Sequence, residues 1–147
     1  MDEKQNIILS VLYLLEKIWG RTYLQKFLYL LNREVFNEKL FDYEPYKYGP
    51  FCSDINEDLA DLENEGLIEE IPELTRGLET AYTYSLTEKG KSITEDIFNK
   101  KLNASMRSKL IEYTNKFRHY TPTELLKYVY EKYPEVTENS EFEDEYS

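Results

Sequence analysis

The chain has 147 residues, with 18 Lys and Arg against 29 Asp and Glu, and a formal net charge of −11. That length suits one domain with one core, and that charge opposes general nucleic-acid affinity, because phosphate contacts need Lys and Arg to displace counterions. No apolar run approaches the ~18 residues of a membrane span, and the single cysteine, Cys52, excludes an internal disulfide and fits a reducing, cytoplasmic location.

The start, MDEKQNIILSVLYLLEKIW, has no basic region ahead of its apolar part, so it reads as a helix rather than a signal peptide. Ile8, Val11, Leu12, Leu15, Ile18 and Trp19 recur on one helical face and predict a helix over 3–19, ended by Gly20. A second helix is predicted over 21–36, with Leu24, Phe27, Leu28, Leu31 and Val35 in register. NEKLFDYEPYKYGP then breaks the period; its alternating aromatics predict a short extended segment, punctuated by Gly49-Pro50. Ser53 is placed to cap a third helix with the stripe Ile55, Leu59 and Leu62, and Gly66 to close it.

LIEEI and TAYTYSL alternate as strands, and the polar linker PELTRGLE between them, with Arg76 and Gly77, predicts a wing tip. Thr87 opens a fourth helix carrying Ile93, Ile97, Phe98 and Leu102, and a fifth follows from about Ser105. TPTE announces the sixth: Thr121 caps, Pro122 suits the first helical position, and Glu124 completes a capping box. Pro134 stops it, and the charged, aliphatic-poor stretch after Asn139 predicts disorder.

This order predicts a mainly α (α+β) fold: a winged helix-turn-helix with a small β-wing and a C-terminal helical extension. The expected organisation is a winged-helix core over 1–86, a helical extension over 87–136 packed on it, and an acidic disordered tail over 137–147.

The acidity is local. Residues 89–118 hold eight bases against three acids, whereas 134–147 hold six acids and no base. The third helix carries Asp54, Glu57, Asp58, Asp61, Glu63 and Glu65 and no Lys or Arg. Direct base readout prefers Arg, Lys, Asn or Gln, and each carboxylate held ~4 Å from a phosphate costs about 1 kcal/mol even in water. Asp58, Asp61 and Glu65 share a face by spacing. The helix therefore reads as a solvated face first, as a surface for a basic partner second, and as a DNA reader third.

Tyr46, Tyr48 and Phe51 read as edge packing or, alternatively, as an aromatic platform for a partner. In GRTYLQK, Arg21, Gln25 and Lys26 read equally as hydrogen-bonding groups that hold the YGP turn and as partner contacts. Arg76, Lys100, Lys101, Arg107 and Lys109 are the candidates for nucleic-acid contact. The exposed apolar faces of the last two helices offer a place for homodimerisation. One histidine, His119, one cysteine, no metal-ligand spacing and no glycine-rich phosphate loop leave no recognisable catalytic, metal or cofactor site.

GRTYLQKFLYLLNREVF, YEPYKYGPFCSDINEDLADLENEGLIEE and YTYSLTEKGK resemble the Panacea-domain proteins, a group containing SocA-like antitoxins, and a related set of small winged-helix proteins of unassigned function. The resemblance covers about residues 18–95; LQK and YGP are its most specific parts, and ELLKYVYEKYPE is similar to a C-terminal signature of the same set. It implies a winged-helix fold and a non-catalytic regulatory or toxin-neutralising role without identifying a toxin. The expected function is protein–protein contact, as an antitoxin-like or defence-associated subunit, with a basic toxin or defence-system protein as partner. The alternatives are a DNA-binding regulator using the wing and basic helices, which the net charge disfavours, and an acidic nucleic-acid mimic.

Overall fold

The computed structural model describes residues 2–44, 49–74, 77 and 80–137. These are mainly helical, with one two-stranded antiparallel sheet. Packing divides the chain into two compact units, Met1–Gly20 with Glu57–Arg118 and Arg21–Asn56 with His119–Ser147. Each unit draws on both the first 86 residues and the segment after them.

In the first unit, α1 (Glu3–Leu15) begins where the Asp2 carboxylate accepts a hydrogen bond from the Gln5 N–H at 2.9 Å. Its period predicts a helix to Trp19, yet it stops four residues earlier. Glu16 takes a φ of 68°, and Ile18 instead pairs with Tyr84, each N–H donating to the other's carbonyl at 3.0 Å. The sheet pairing satisfies Ile18's backbone and still buries its side chain, so nothing is lost by leaving the helix. Trp19, counted on the apolar face, turns outward and is 46% exposed.

The second half of α3 (Ser53–Asn64) also belongs here, with Leu59 and Leu62 in the core. The helix closes at Gly66, where the Leu67 N–H reaches back to the Leu62 carbonyl at 3.0 Å. β1 (Ile68–Leu74) and β2 (Thr80–Leu86) then pair from Ile68↔Leu86 to Leu74↔Thr80. β1 therefore runs past LIEEI through Pro72, into the expected wing tip. Tyr84 spends its backbone groups on Ile18, so β1 is the outer edge, and the ladder's alternation turns the Pro72 nitrogen outward, where a missing N–H costs nothing.

Thr87 caps α4 (Glu88–Asp96) by accepting from the Gly90 N–H at 3.0 Å, while its own hydroxyl donates to the Gly66 carbonyl at 2.6 Å. A Cβ at Gly90 would stand 1.9 Å from the Leu67 carbonyl oxygen, so only glycine lets this turn approach the strand. The expected single helix to Leu102 instead ends in a π-helical turn, Ile97–Lys101, closed by Leu102 N–H to Ile97 carbonyl at 3.2 Å. α5 (Ala104–Phe117) starts on an Asn103 cap. α1 packs against α4, α5 and β2 around Ile7, Ile8, Leu12, Ile97, Phe98, Leu110 and Phe117.

In the second unit, α2 (Gly20–Glu34) is buried over ten consecutive residues, Tyr23 to Asn32. The Asn32 side chain holds the chain that follows, accepting from the N–H groups of Leu40 and Phe41 and donating to the Phe41 carbonyl at 2.9 Å. Glu44 and Phe51 exchange both backbone hydrogen bonds, at 2.8 and 3.0 Å. α6 (Pro122–Lys132) has the expected reciprocal capping box, with Thr121 and Glu124 each accepting from the other's N–H at 3.1 Å. A 3₁₀ turn, Pro134–Thr137, follows. The acidic stretch 138–147 lies outside the described residues.

Candidate functional site

The acids of α3 are sorted by its apolar stripe. Asp58 follows Ile55 by three residues and precedes Leu62 by four, which puts it inside the stripe; it is buried, and Gln5 Nε2 donates to its carboxylate at 3.3 Å. Asp58 therefore does not share a solvent face with Asp61 and Glu65, and it leaves the set of partner-facing acids. The outward ridge is Glu57, Asp61 and Glu65, with Glu63 beside it; Asp54 is half-buried. β1 continues the same sign with exposed Glu69, and with Glu70 and Glu73, which take a hydrogen bond from the Tyr84 hydroxyl and an ion pair from Lys17. Among the described residues, no cation forms an ion pair with the carboxylates of Glu57, Asp61, Glu63, Glu65 or Glu69, although Lys89 Nζ donates to the Glu65 backbone carbonyl at 3.1 Å.

Gln25 and Lys26 of LQK meet Gly49 and Pro50 of YGP in one buried joint of the second unit, Tyr48 lying outside the described residues. The Gln25 amide clamps both backbone groups of Cys52, donating to its carbonyl at 2.8 Å and accepting from its N–H at 2.9 Å. Lys26 Nζ donates to the Pro50 carbonyl at 2.9 Å, and the Tyr43 hydroxyl donates to the Gln25 carbonyl at 2.6 Å. Gln25 and Lys26 are each 3% exposed. Of the two readings of these residues, the hydrogen bonds are those of turn-holding; buried side chains with their polar atoms spent on backbone present nothing to a partner. Burial lowers the Lys26 ammonium to about 8. The Tyr43 ring as a whole is half-buried, but its enclosed hydroxyl end is pushed well above the usual phenol range. Gly49 lies at φ +106°, and a Cβ there would come within 2.9 Å of Leu126 and 3.1 Å of Lys26, which is why glycine follows the tyrosine.

Sequence reasoning missed a second cluster in the same unit. The Arg33 guanidinium donates to the Tyr29 hydroxyl at 2.9 Å, pairs with Glu135 at 2.6 Å and Glu38 at 3.2 Å, and sits 4.1 Å over the Tyr133 ring. Lys132 pairs with Glu34 at 2.9 Å, and Glu34 also accepts from the Tyr133 hydroxyl. A hydrogen bond from its own backbone and the Arg33 charge hold the Glu135 carboxyl below the usual range. The stretch YEKYPE carried a signal for this cluster, but its partner, Arg33, lies about a hundred residues away on another helix. A cavity of about 380 Å³ adjoins it, with Asn32, Phe41, Tyr43, Glu44 and Pro50 among its walls.

The remaining candidates scatter. Arg21 is exposed at the start of α2, and Phe51 is half-buried. Tyr46, Tyr48 and Arg76 lie outside the described residues. Lys100 and Lys109 pair with acids of their own helical segments, Asp96 at 3.5 Å and Glu112 at 3.9 Å. Arg107 is half-buried and donates to the Leu102 carbonyl, which ties it to the π-helical turn rather than to solvent. Lys101 is exposed. Among the described residues, no group of three or more His, Cys, Asp and Glu is placed to hold a metal, and no helix is long and apolar enough to cross a membrane. A scan against protein-family models finds no match, and no curated protein matches the chain.

Proposed function

We propose that this chain is a non-catalytic winged-helix regulatory protein, antitoxin-like or a defence-associated subunit, that acts by contact with a basic protein. The observation that carries this reading is the outward ridge of α3 and the turn after it: the Glu57, Asp61 and Glu65 carboxylates face solvent and form no ion pair among the described residues, the nearby Lys89 ammonium being bonded to the Glu65 backbone carbonyl at 3.1 Å. In a winged helix that ridge and the wing are the surfaces that meet DNA. Here both carry carboxylates, so the sign of the field selects a cationic partner.

The element order supports the winged-helix reading. α1, the paired residue Ile18, α2, α3, β1 and β2 follow one another, and β2 is flanked by β1 on one side and Ile18 on the other. The connection between α2 and α3, residues 35–52, is far longer than the three or four residues of a tight helix-turn-helix. The Panacea-domain resemblance supports the shared fold more than a shared partner, because Gln25, Lys26, Gly49 and Pro50 of its LQK and YGP blocks serve the buried joint.

Co-expression with the product of the adjacent gene tests the reading. The two are expected to co-elute, the neighbour to be toxic alone, and the variant Glu57→Lys/Asp61→Lys/Glu65→Lys to abolish both co-elution and protection. Separate elution together with a harmless neighbour sinks it. A gel shift with the chain's own promoter that weakens steeply with salt would transfer the role to DNA binding.

A further inference from the structure

A groove of about 1220 Å³ crosses the first unit between the end of α1, the outer face of the sheet and α4. Its volume exceeds the ~300–1,000 Å³ of small-molecule pockets, so it suits a chain segment. Tyr13 and Leu14 supply an apolar wall, and Glu16, Glu69 and Glu95 line it as exposed carboxylates. Each of the groove's two lysines has a carboxylate partner, Lys17 on Glu73 and Lys91 on Glu88 at 3.4 Å, and the lining carboxylates outnumber them four to two. Among the described residues, no cation pairs with Glu16, Glu69 or Glu95.

The backbone adds to the same sign. α1 ends at the groove, its last turn holds no basic residue, and its C-terminal carbonyls contribute the negative end of the helix dipole. Arg118 donates to the Leu14 carbonyl at 3.2 Å and offsets part of that dipole, so the groove's sign rests on its carboxylates. At one end, Lys17 Nζ lies 4.9 Å over the outward-turned Trp19 ring. Trp19 and Ile71, 46% and 38% exposed, leave an apolar surface beside the acids.

We propose that this groove binds a basic peptide segment of a protein partner, its cationic side chains on Glu16, Glu69 and Glu95 and an apolar side chain on Trp19. The assignment rests on the proposed basic partner and names where that partner's segment lies. Charge complementarity selects this occupant. A nucleic acid would bring phosphates to three carboxylates, and a second copy would bring a net charge of −11 to the same surface.

Trp19 is the chain's single tryptophan and lies against Lys17, which lines the groove, so its emission reports that end of the groove. The full chain is titrated with a short synthetic peptide of alternating Lys and Leu, and with its counterpart carrying Glu for Lys. The Lys peptide is expected to blue-shift Trp19 saturably and to weaken with salt, and the Glu peptide to do nothing. Glu69→Lys/Glu95→Lys is expected to weaken the Lys peptide at least ~tenfold, with an unchanged thermal melt because both positions are exposed. The variant Glu57→Lys/Asp61→Lys/Glu65→Lys is expected to leave it within about twofold. Absence of a saturable Trp19 change, equal binding of both peptides, or indifference to Glu69→Lys/Glu95→Lys overturns the groove. So does a duplex oligonucleotide that displaces the peptide, or self-association that buries Trp19. Should the α3 variant abolish peptide binding while the groove variant spares it, the basic-partner reading survives and the groove assignment falls.

Discussion

Gln25 and Lys26 on α2, and Glu57, Asp61 and Glu65 on α3 and the turn that closes it, are polar residues of similar helices, yet their fates are opposite. The first pair is buried and bonded to backbone at Cys52 and Pro50; the carboxylates face solvent and form no ion pair among the described residues. The distinctive-looking block is structural and the ordinary-looking one carries the proposed contact. A buried polar group tolerates few replacements, because its partners lose their hydrogen bonds with it. A solvent-facing acid tolerates many, so its pattern is informative only through the sign it adds up to.

That contrast can be broken at its strongest point first. Gln25→Ala removes both side-chain hydrogen bonds to the Cys52 backbone and leaves the Cys52 carbonyl with the longer bond from the Ile55 N–H at 3.3 Å; it is expected to cost about 1–3 kcal/mol in urea denaturation, and a loss below about half a kcal/mol would remove Gln25 from the joint. Lys26 gives the next effect, through pH. Its folded value near 8 lies below its ordinary 10.5, so between these the unfolded chain binds more protons and stability rises with pH. Tyr43 acts oppositely above its ordinary 10.0, where the unfolded phenol ionises first. From pH 8 to 10, then, the wild type should gain stability relative to Lys26→Met, by at most ~1.4 kcal/mol per pH unit. A difference that stays flat or falls would contradict the buried ammonium.

Smaller effects sharpen the other side. Thr121→Ala removes the α6 cap and should cost ~1 kcal/mol, read as a lower denaturation midpoint at constant slope. The single reversals Glu57→Lys, Asp61→Lys and Glu65→Lys should each shift stability by less than ~0.5 kcal/mol, while together they abolish partner co-elution. If they unfold the chain instead, the ridge is structural and the contrast disappears.

Local chemistry was legible in the sequence wherever it is local in the fold. The TPTE box at Thr121 and Glu124, the Thr87 cap and the close of α3 at Gly66 each involve groups within about five residues, and each stands where its residues predict. The errors have one cause. Ile18 and Trp19 continue the α1 period, but a partner at Tyr84 draws Ile18 into the sheet. Asp58 reads as an acid among acids until the stripe of Ile55, Leu59 and Leu62 places it inside. Pro72 looks like a strand's end until the ladder shows it on an outer edge.

The candidate sites divide in the same way. Composition by itself determined the sign of the surface: six acids and no base over residues 53–65 leave a negative face even with Asp58 buried. The six α-helices of the described residues, the caps at Thr87 and Thr121 and the two strands also followed from period and propensity, whereas α3 begins at Ser53 itself and α1 ends at Leu15 rather than at Gly20. Only the tertiary structure decided which polar residues face solvent. It buried Lys26 and Asp58, joined Arg33 to Glu135 across about a hundred residues, and opened the groove between the end of α1, the sheet and α4. Burial depends on what packs opposite a residue, and that neighbour comes from distant chain that no local period encodes.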